Sequence, residues 1–308
     1  MPGCSVVIPC FNDAERLAEA LASLLAQTRR DWEAIVVDDA SAVGDVAAVV
    51  EALQDDRIRS IRHDRNRGLA AARNTGIRMS TGPFVLPFDS DDRLDPHCLE
   101  RLTEVLEADR IADAVFPDFR LFGEVTGIQR FDVADEAALL TRQWLPGPGC
   151  LYRRELWERV GGYCEDEVLR AGNEDWEFYV AAAELGFVAR HVAEPLYEYR
   201  VTGGSMSNRL QYTNHLTRER IHARHRALYD RLGGRRAFLG EGYRASAQAS
   251  YARGERRRAL RLALRSLTIE PSRSGLATVA RALTPRWITQ AGRRLRHRLP
   301  ASTTRPAA

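Results

Sequence analysis

No lysine occurs among the 308 residues, so every basic side chain is an arginine. No run of about 18 uncharged apolar residues is found, which excludes a transmembrane helix. Five cysteines stand at positions 4, 10, 98, 150 and 164; the number is odd and no CxxC pair occurs. That pattern argues against a zinc site and for reduced thiols in a cytosolic setting. A basic leader is missing too. Met1-Pro2-Gly3-Cys4 runs directly into an apolar segment, so no secretory signal is expected. No GxGxxG follows that first segment, which disfavours a NAD-binding Rossmann enzyme. Pro9-Cys10-Phe11-Asn12 also lacks the Gly-rich loop and basic residue with which a nucleotidyltransferase begins.

What is present is unevenly distributed. From Arg253 to Arg298 stand thirteen arginines against only Glu255 and Glu270, so the rest is net acidic although the total is +3. The first 120 residues alternate strand and helix signals. Strands are expected at Ser5 to Pro9, Glu33 to Val37, Arg57 to Ile61, Pro83 to Pro87 and Ala112 to Phe116. Between them, helices are expected from Asn12-Asp13 (with Glu15 placed for a capping box), at Val46 to Leu53, Leu69 to Met79 and His97 to Ala108. This rhythm predicts an α/β fold, an open and largely parallel sheet flanked by helices. Such sheets bind ligands at the carboxyl ends of their strands. Phe11-Asn12-Asp13, Asp38-Asp39 and Asp89 to Asp92 fall there. The pattern is less regular from Phe119 to Tyr199, with a turn-rich loop at 143–150, a helix at Glu174 to Leu185 and short strands at Phe187 to His191 and Pro195 to Val201. After Gln211 it is helical, with breaks at Gly233-Gly234, Gly254, Pro271 and Pro285. Ala245 to Pro271 resembles one tetratricopeptide-type unit. The expected division is 1–210, 211–299 and a disordered 300–308, the first split near residue 120 into nucleotide and acceptor halves.

The acidic cluster Phe88-Asp89-Ser90-Asp91-Asp92 closes a buried strand. Three carboxylates in four residues repel one another, and a hard cation such as Mg²⁺ or Mn²⁺ relieves that while holding phosphate oxygens. The plainer alternative is a solvated turn, with Asp95 capping the next helix and Pro96 at its first position.

Val6-Val7-Ile8-Pro9-Cys10-Phe11-Asn12, Ala34 to Ser41, Asn66 to Gly76 and Asp89-Ser90-Asp91-Asp92 resemble the ordered signature of family 2 glycosyltransferases. The likeness continues through Tyr152-Arg153-Arg154-Glu155, Val160-Gly161-Gly162-Tyr163, Glu174-Asp175-Trp176 and Glu194 to Arg200, covering roughly residues 3 to 208. Each motif alone is weak to moderate, and the eight in order are strong. The resemblance implies a GT-A fold and an inverting, metal-dependent transfer from a nucleotide sugar, expected to be a UDP-sugar. The acceptor would be a glycan, lipid-linked or protein hydroxyl in cell-surface glycan or polysaccharide synthesis. It implies that Asp39 contacts the base beside Asp38, with Pro9 and Phe11 lining the pocket. Arg73 and Asn74 would lie beside the diphosphate, Arg73 being alternatively a solvated helix residue. By the same resemblance Asp91 would be the first metal ligand, with Asp92 or Asp89 as the second contact or ribose partner. The resemblance also implies that Asp175, or else its neighbour Glu174, would be the general base; helix-dipole compensation is the alternative for both. Thr202 stands where many relatives carry a His that helps to hold the metal or diphosphate; His191 or water could substitute. Trp144 could stack on an acceptor sugar or belong to the core.

The remaining function classes are a nucleotidyltransferase and a non-catalytic nucleotide-binding or assembly module of the same fold. The basic tail admits three readings: an anionic membrane surface, packing on the acidic body, or a partner interface. Trp287-Ile288 beside Arg286, Arg293, Arg294, Arg296 and Arg298 fits an interfacial helix, a solvated face being the alternative. That would place the protein at the inner face of a membrane. No nucleic-acid motif accompanies the charge, so no nucleic-acid partner is expected.

Overall fold

The computed structural model describes residues 2–133, 136–203 and 210–284. Two compact units divide the chain: Met1–Leu210 with Leu216–Phe238, and Gln211–His215 with Leu239–Ala308.

The first unit is built on one mixed sheet. β1 (Cys4–Cys10) is buried throughout and β2 (Trp32–Asp38) at every position but Glu33. Their valines and isoleucines suit a pleated strand, and burial on both faces explains the unbroken apolar runs. β3 (Ile58–Arg62), β2, β1 and β4 (Phe84–Pro87) lie side by side in that order, all parallel. Their crossovers carry α1 (Ala14–Leu25), α2 (Val46–Glu51) and α3 (Leu69–Met79). α1 turns Ala14, Leu17, Ala20, Leu21 and Leu24 into the core, one stripe of a 3.6-residue period. Gly76 lets α3 lie close on the sheet, since a Cβ there would stand 2.4 Å from Val7 Cγ1.

Beyond β4 the directions mix. β5 (Arg93–Leu94), α4 (Cys98–Ala108), β6 (Ala114–Gly123), β7 (Gly127–Gln129) and α5 (Glu136–Leu139) follow. Then come β8 (Leu151–Arg153), α6 (Arg154–Val160), α7 (Glu174–Glu184) and β9 (Ala189–Val201). β8 runs antiparallel between β4 and β6, β9 is parallel to β6, and β5 is antiparallel to β9. This mixed half is why the pattern loses regularity after Phe119.

Three local expectations change. The two strands expected around Pro195 are one, β9, whose register with β6 shifts between Pro117 and Phe119. A proline gives no ladder N–H, and the strand absorbs it as an irregularity rather than ending. Glu15 forms no capping box: Asp13 is the N-cap of α1 but its side chain makes no capping bond. Instead Asn12 Oδ1 accepts from the N–H groups of Ala42 and Val43, at 2.7 and 3.1 Å, and caps the β2 loop. His97, not Asp95, is the N-cap of α4.

The helices that follow are α8 (Asn214–Arg224), α9 (Arg226–Leu232), α10 (Arg235–Ala252), α11 (Arg256–Ile269) and α12 (Arg273–Leu283). They break at Gly233-Gly234, Gly254 and Pro271 as expected, and also at His225. In the second unit small residues let α10 and α11 touch: Ala247, Ser250, Ala259 and Ala263 are buried, and Ser266 Oγ donates to the Gly240 carbonyl at 2.9 Å. Pro285, Trp287-Ile288 and the segment past residue 300 lie outside the described residues.

Candidate active site

Because β1, β2 and β4 are parallel, the residues after them share one edge of the sheet. Strand order reverses at β1, which sits between β2 and β4. A crevice at such a switch point is where open α/β sheets take ligands.

Asp39 is buried at that edge with its carboxylate largely engaged. Oδ1 accepts from His63 Nδ1 at 2.7 Å and from the Arg67 N–H at 2.8 Å. Oδ2 accepts from the Gly68 N–H at 2.7 Å. His63 is itself buried, with Nε2 3.0 Å from Thr75 Oγ1 on α3. A carboxylate offers about four lone-pair sites, so Asp39 keeps one, on Oδ2. Asp38 turns into the loop, accepting from the Ser41 N–H at 2.8 Å and pairing with Arg62. Pro9 is buried within β1, whereas Phe11 is 48% exposed just beyond it.

The three aspartates of the cluster have three different surroundings. Asp92 is 1% exposed, with Oδ2 accepting from the Tyr197 hydroxyl and Oδ1 from the Arg200 N–H, both at 2.7 Å. It fastens the cluster to β9, so it is a poor match to the metal-ligand expectation. Asp89 and Asp91 remain accessible, their side chains 27% and 34% exposed. Burial pushes the Asp91 carboxyl up to about 6, helped by Asp89 and Asp13 and opposed by Arg16 at 3.9 Å. Burial, then Asp89 and Asp91, raises Asp92 as well. Both shifts come first from burial and next from like charge, which a cation at Asp89 and Asp91 would offset. A pair of accessible carboxylates in surplus negative charge fits a hard divalent cation, which completes its shell with water and phosphate oxygens. Among the described residues no three His, Cys, Asp or Glu side chains form a closed cage, and a cation of this kind needs none.

Arg73 is not on a solvated face. It is 2% exposed, donating to Glu174 Oε1 at 2.6 Å and to Asp89 Oδ1 at 3.1 Å, while its Nε has no partner. Burial chiefly, then Asp175, pushes Glu174 up to about 7, with Arg73 opposing. Glu174 therefore holds Arg73 and is closed to an acceptor. Its neighbour Asp175 is half-buried at the start of α7. Asp175 Oδ2 accepts from Gln143 Nε2 and Oδ1 from the Trp176 N–H, both at 2.7 Å. Gly147 closes on the same carboxylate, since a Cβ there would come within 2.1 Å of Oδ2. Asn74 has all four of its amide sites in use: Nδ2 donates to the Tyr163 carbonyl and Glu165 Oε1, and Oδ1 accepts from Trp157 Nε1 and the Tyr163 N–H. It ties α3 to the turn after α6 and has no valence left for a ligand.

His191 is engaged away from this edge, pairing with Asp118 at 2.8 Å and stacking on Phe116. Thr202 follows β9 half-buried. Trp144 is 6% exposed against Phe116, so it is core. Sequence reasoning missed His63 and Gln143. Each is a lone polar residue without a motif, joined to its carboxylate only by folding. Tyr197 and Arg200 were visible in a motif, but their hold on Asp92 was not.

A sheet of this order, with helices on its faces and an acidic carboxyl edge, is the GT-A glycosyltransferase architecture. Residues 5–159 match the family model described as glycosyl transferase family 2, and the chain belongs to that family. It is 32% identical over 230 residues to the succinoglycan biosynthesis protein ExoO of Rhizobium meliloti, covering 68% of this chain and 64% of that one. It is 29% identical over 216 residues to the putative glycosyltransferase EpsE of Bacillus subtilis, covering 68% and 76%. The chain thus spans just under two thirds of the first relative's length. Among solved structures, S. aureus TarS 1–349 in complex with UDP superposes with a TM-score of 0.63 at 18% identity, covering 96% of this chain and 92% of that one. The mannosyltransferase PcManGT of Pyrobaculum calidifontis, in complex with GDP-Man and Mn²⁺, gives 0.60 at 19%, covering 97% and 88%.

Proposed function

We propose that the chain is an inverting, metal-dependent glycosyltransferase that moves a sugar from a UDP-sugar to an acceptor hydroxyl. One observation carries the reading: Arg73 joins Asp89 of the acidic cluster to Glu174, and Glu174 adjoins Asp175. Leaving-group side and base side are thereby held in one frame. Asp175 accepts the proton of the acceptor hydroxyl as its oxygen attacks the anomeric carbon. The bond from that carbon to the diphosphate breaks on the opposite face, and the nucleoside diphosphate leaves. Gln143 and Gly147 fix the orientation of the carboxylate. Asp89 and Asp91 would hold a divalent cation, Mn²⁺ or Mg²⁺, which supplies charge compensation for the departing diphosphate. Asp39, with a single acceptor site left, suits the one imide N–H of uracil; guanine presents two adjacent donors. Free thiols at all five cysteines support a reducing compartment. The relative named for succinoglycan biosynthesis supports a polysaccharide acceptor.

The experiment is nucleoside diphosphate release from a panel of UDP-, GDP- and TDP-sugars with Mn²⁺. Release from the UDP-sugars is expected. Absence of both turnover and binding across the panel would sink the reading, and a preference for GDP-sugars would overturn the base assignment alone.

A further inference from the structure

The second unit carries basic surface that the transfer reaction does not use. Its described part holds nine arginines, three glutamates and no aspartate. The glutamates are engaged: Glu255 accepts from the Tyr212 hydroxyl at 2.6 Å, Glu270 faces Arg244 at 3.3 Å, and Glu241 pairs with Arg244. So are the inward arginines. Arg256 donates to the Ala282 and Leu283 carbonyls at the end of α12, at 3.2 and 2.7 Å. Arg258 donates to Ser250 Oγ at 2.6 Å and lies over the Tyr212 ring. By contrast Arg257, Arg261 and Arg265, spaced four apart along α11, are exposed and have no carboxylate partner among the described residues. Arg273 and Arg281 of α12 are in the same condition. The opposite side of α11 is the buried one, through Ala259, Ala263 and Ser266.

Large apolar side chains are exposed on these two helices: Leu264 is 48% exposed, Leu276 61% and Leu283 58%. A cleft of about 480 Å³ opens where Gly254 and Glu255 lead into α11, lined also by Arg257 and Arg261. Exposed arginine beside exposed leucine is the composition of a surface lying on an anionic bilayer, where guanidinium meets phosphate and leucine enters the acyl boundary. A surface for single-stranded nucleic acid would offer aromatic faces for bases. Here the ring of Tyr212 is covered by Arg253 and Arg258 at 4.0 and 3.6 Å.

We infer that α11 and α12 form a docking surface for the anionic phospholipid face of a membrane. The charge complementarity is one-sided, since neither helix contains an acidic residue. The chain after them adds Arg286, Arg293, Arg294, Arg296, Arg298 and Arg305 and no acidic side chain. The inference is independent of the transferase reading, because no residue in it lies at the sheet edge.

The test is sedimentation of the full chain with vesicles of phosphatidylcholine alone and of phosphatidylcholine mixed with phosphatidylglycerol. Binding is expected only to the mixed vesicles, and it should weaken with added salt. The triple variant R257Q/R261Q/R265Q should partition about a hundredfold more weakly, at roughly fivefold per arginine near a charged surface. L264S/L276S should also weaken binding and make the remainder more salt-sensitive. The unfolding transition of each variant checks that it is folded. Equal binding to both vesicle types, or none to either, overturns the inference. So does full binding by the triple variant together with loss of binding on replacing the six arginines after Pro285 by glutamine. Tighter capture by duplex DNA or by an acidic protein than by the mixed vesicles also overturns it.

Discussion

At the scale of the residue, identity and exposure separate neighbours that the sequence leaves equivalent. Glu174 and Asp175 are adjacent carboxylates, yet one is closed around Arg73 and the other faces the loop of Gln143 and Gly147. Asp175→Asn should therefore lower kcat by about 10²–10⁴, the usual worth of a general base, while UDP affinity measured by calorimetry stays unchanged. Titration separates Asp91 in the same way. Its pKa is raised to about 6, so the metal-free fold is favoured below the ordinary carboxylate value and loses that contribution as pH rises through about 6. A cation must displace the proton below that point. Mn²⁺-dependent UDP binding should fall about tenfold per unit below pH 6 and level off above it; a flat profile would remove Asp91 from the ligand set. The aspartates were legible because they cluster at a strand end and fall in ordered motifs. His63 and Gln143 were not, because each meets its carboxylate only through folding, across separations of 24 and 32 residues.

At the scale of the element, apolar periodicity placed α1 because one face of it lies on the sheet. It divided β9 in two because Pro195 reads as a strand breaker, while pairing with β6 keeps the strand continuous. Two contacts set how elements meet at the site. Gly76 sits over Val7 and Val37, so Gly76→Val should cost about 1–3 kcal/mol by urea unfolding through overpacking. Gly147 has no positive φ to relieve, and Ala there has no backbone penalty. Its methyl group would still drive the Asp175 carboxylate aside. Gly147→Ala is expected to reduce kcat about a hundredfold, as misplacement by about 1 Å can, with an unfolding midpoint close to the parent's. Equal kcat in the two proteins would mean that the loop yields instead.

At the scale of the whole molecule, the division of charge was readable from composition alone, whereas the engagement of each acid in the second unit was not. On the proposed reading nucleotide and metal bind at the sheet edge, so UDP with Mn²⁺ should slow hydrogen exchange after β1, β2 and β4 and leave α11 and α12 unaffected. Protection spread evenly over both units would contradict that site. The frame built on Arg73 also bears on how such a chain can change over generations. Residues 73, 89 and 174 come from three distant segments, and removing Arg73 leaves a buried Glu174 without its counter-charge. Loss of one partner of a buried pair typically costs about 3–5 kcal/mol, whereas exchange of both for apolar residues can be nearly neutral. Positions 73 and 174 should therefore tolerate change together better than singly: each single replacement is expected to lose more stability than the joint apolar one.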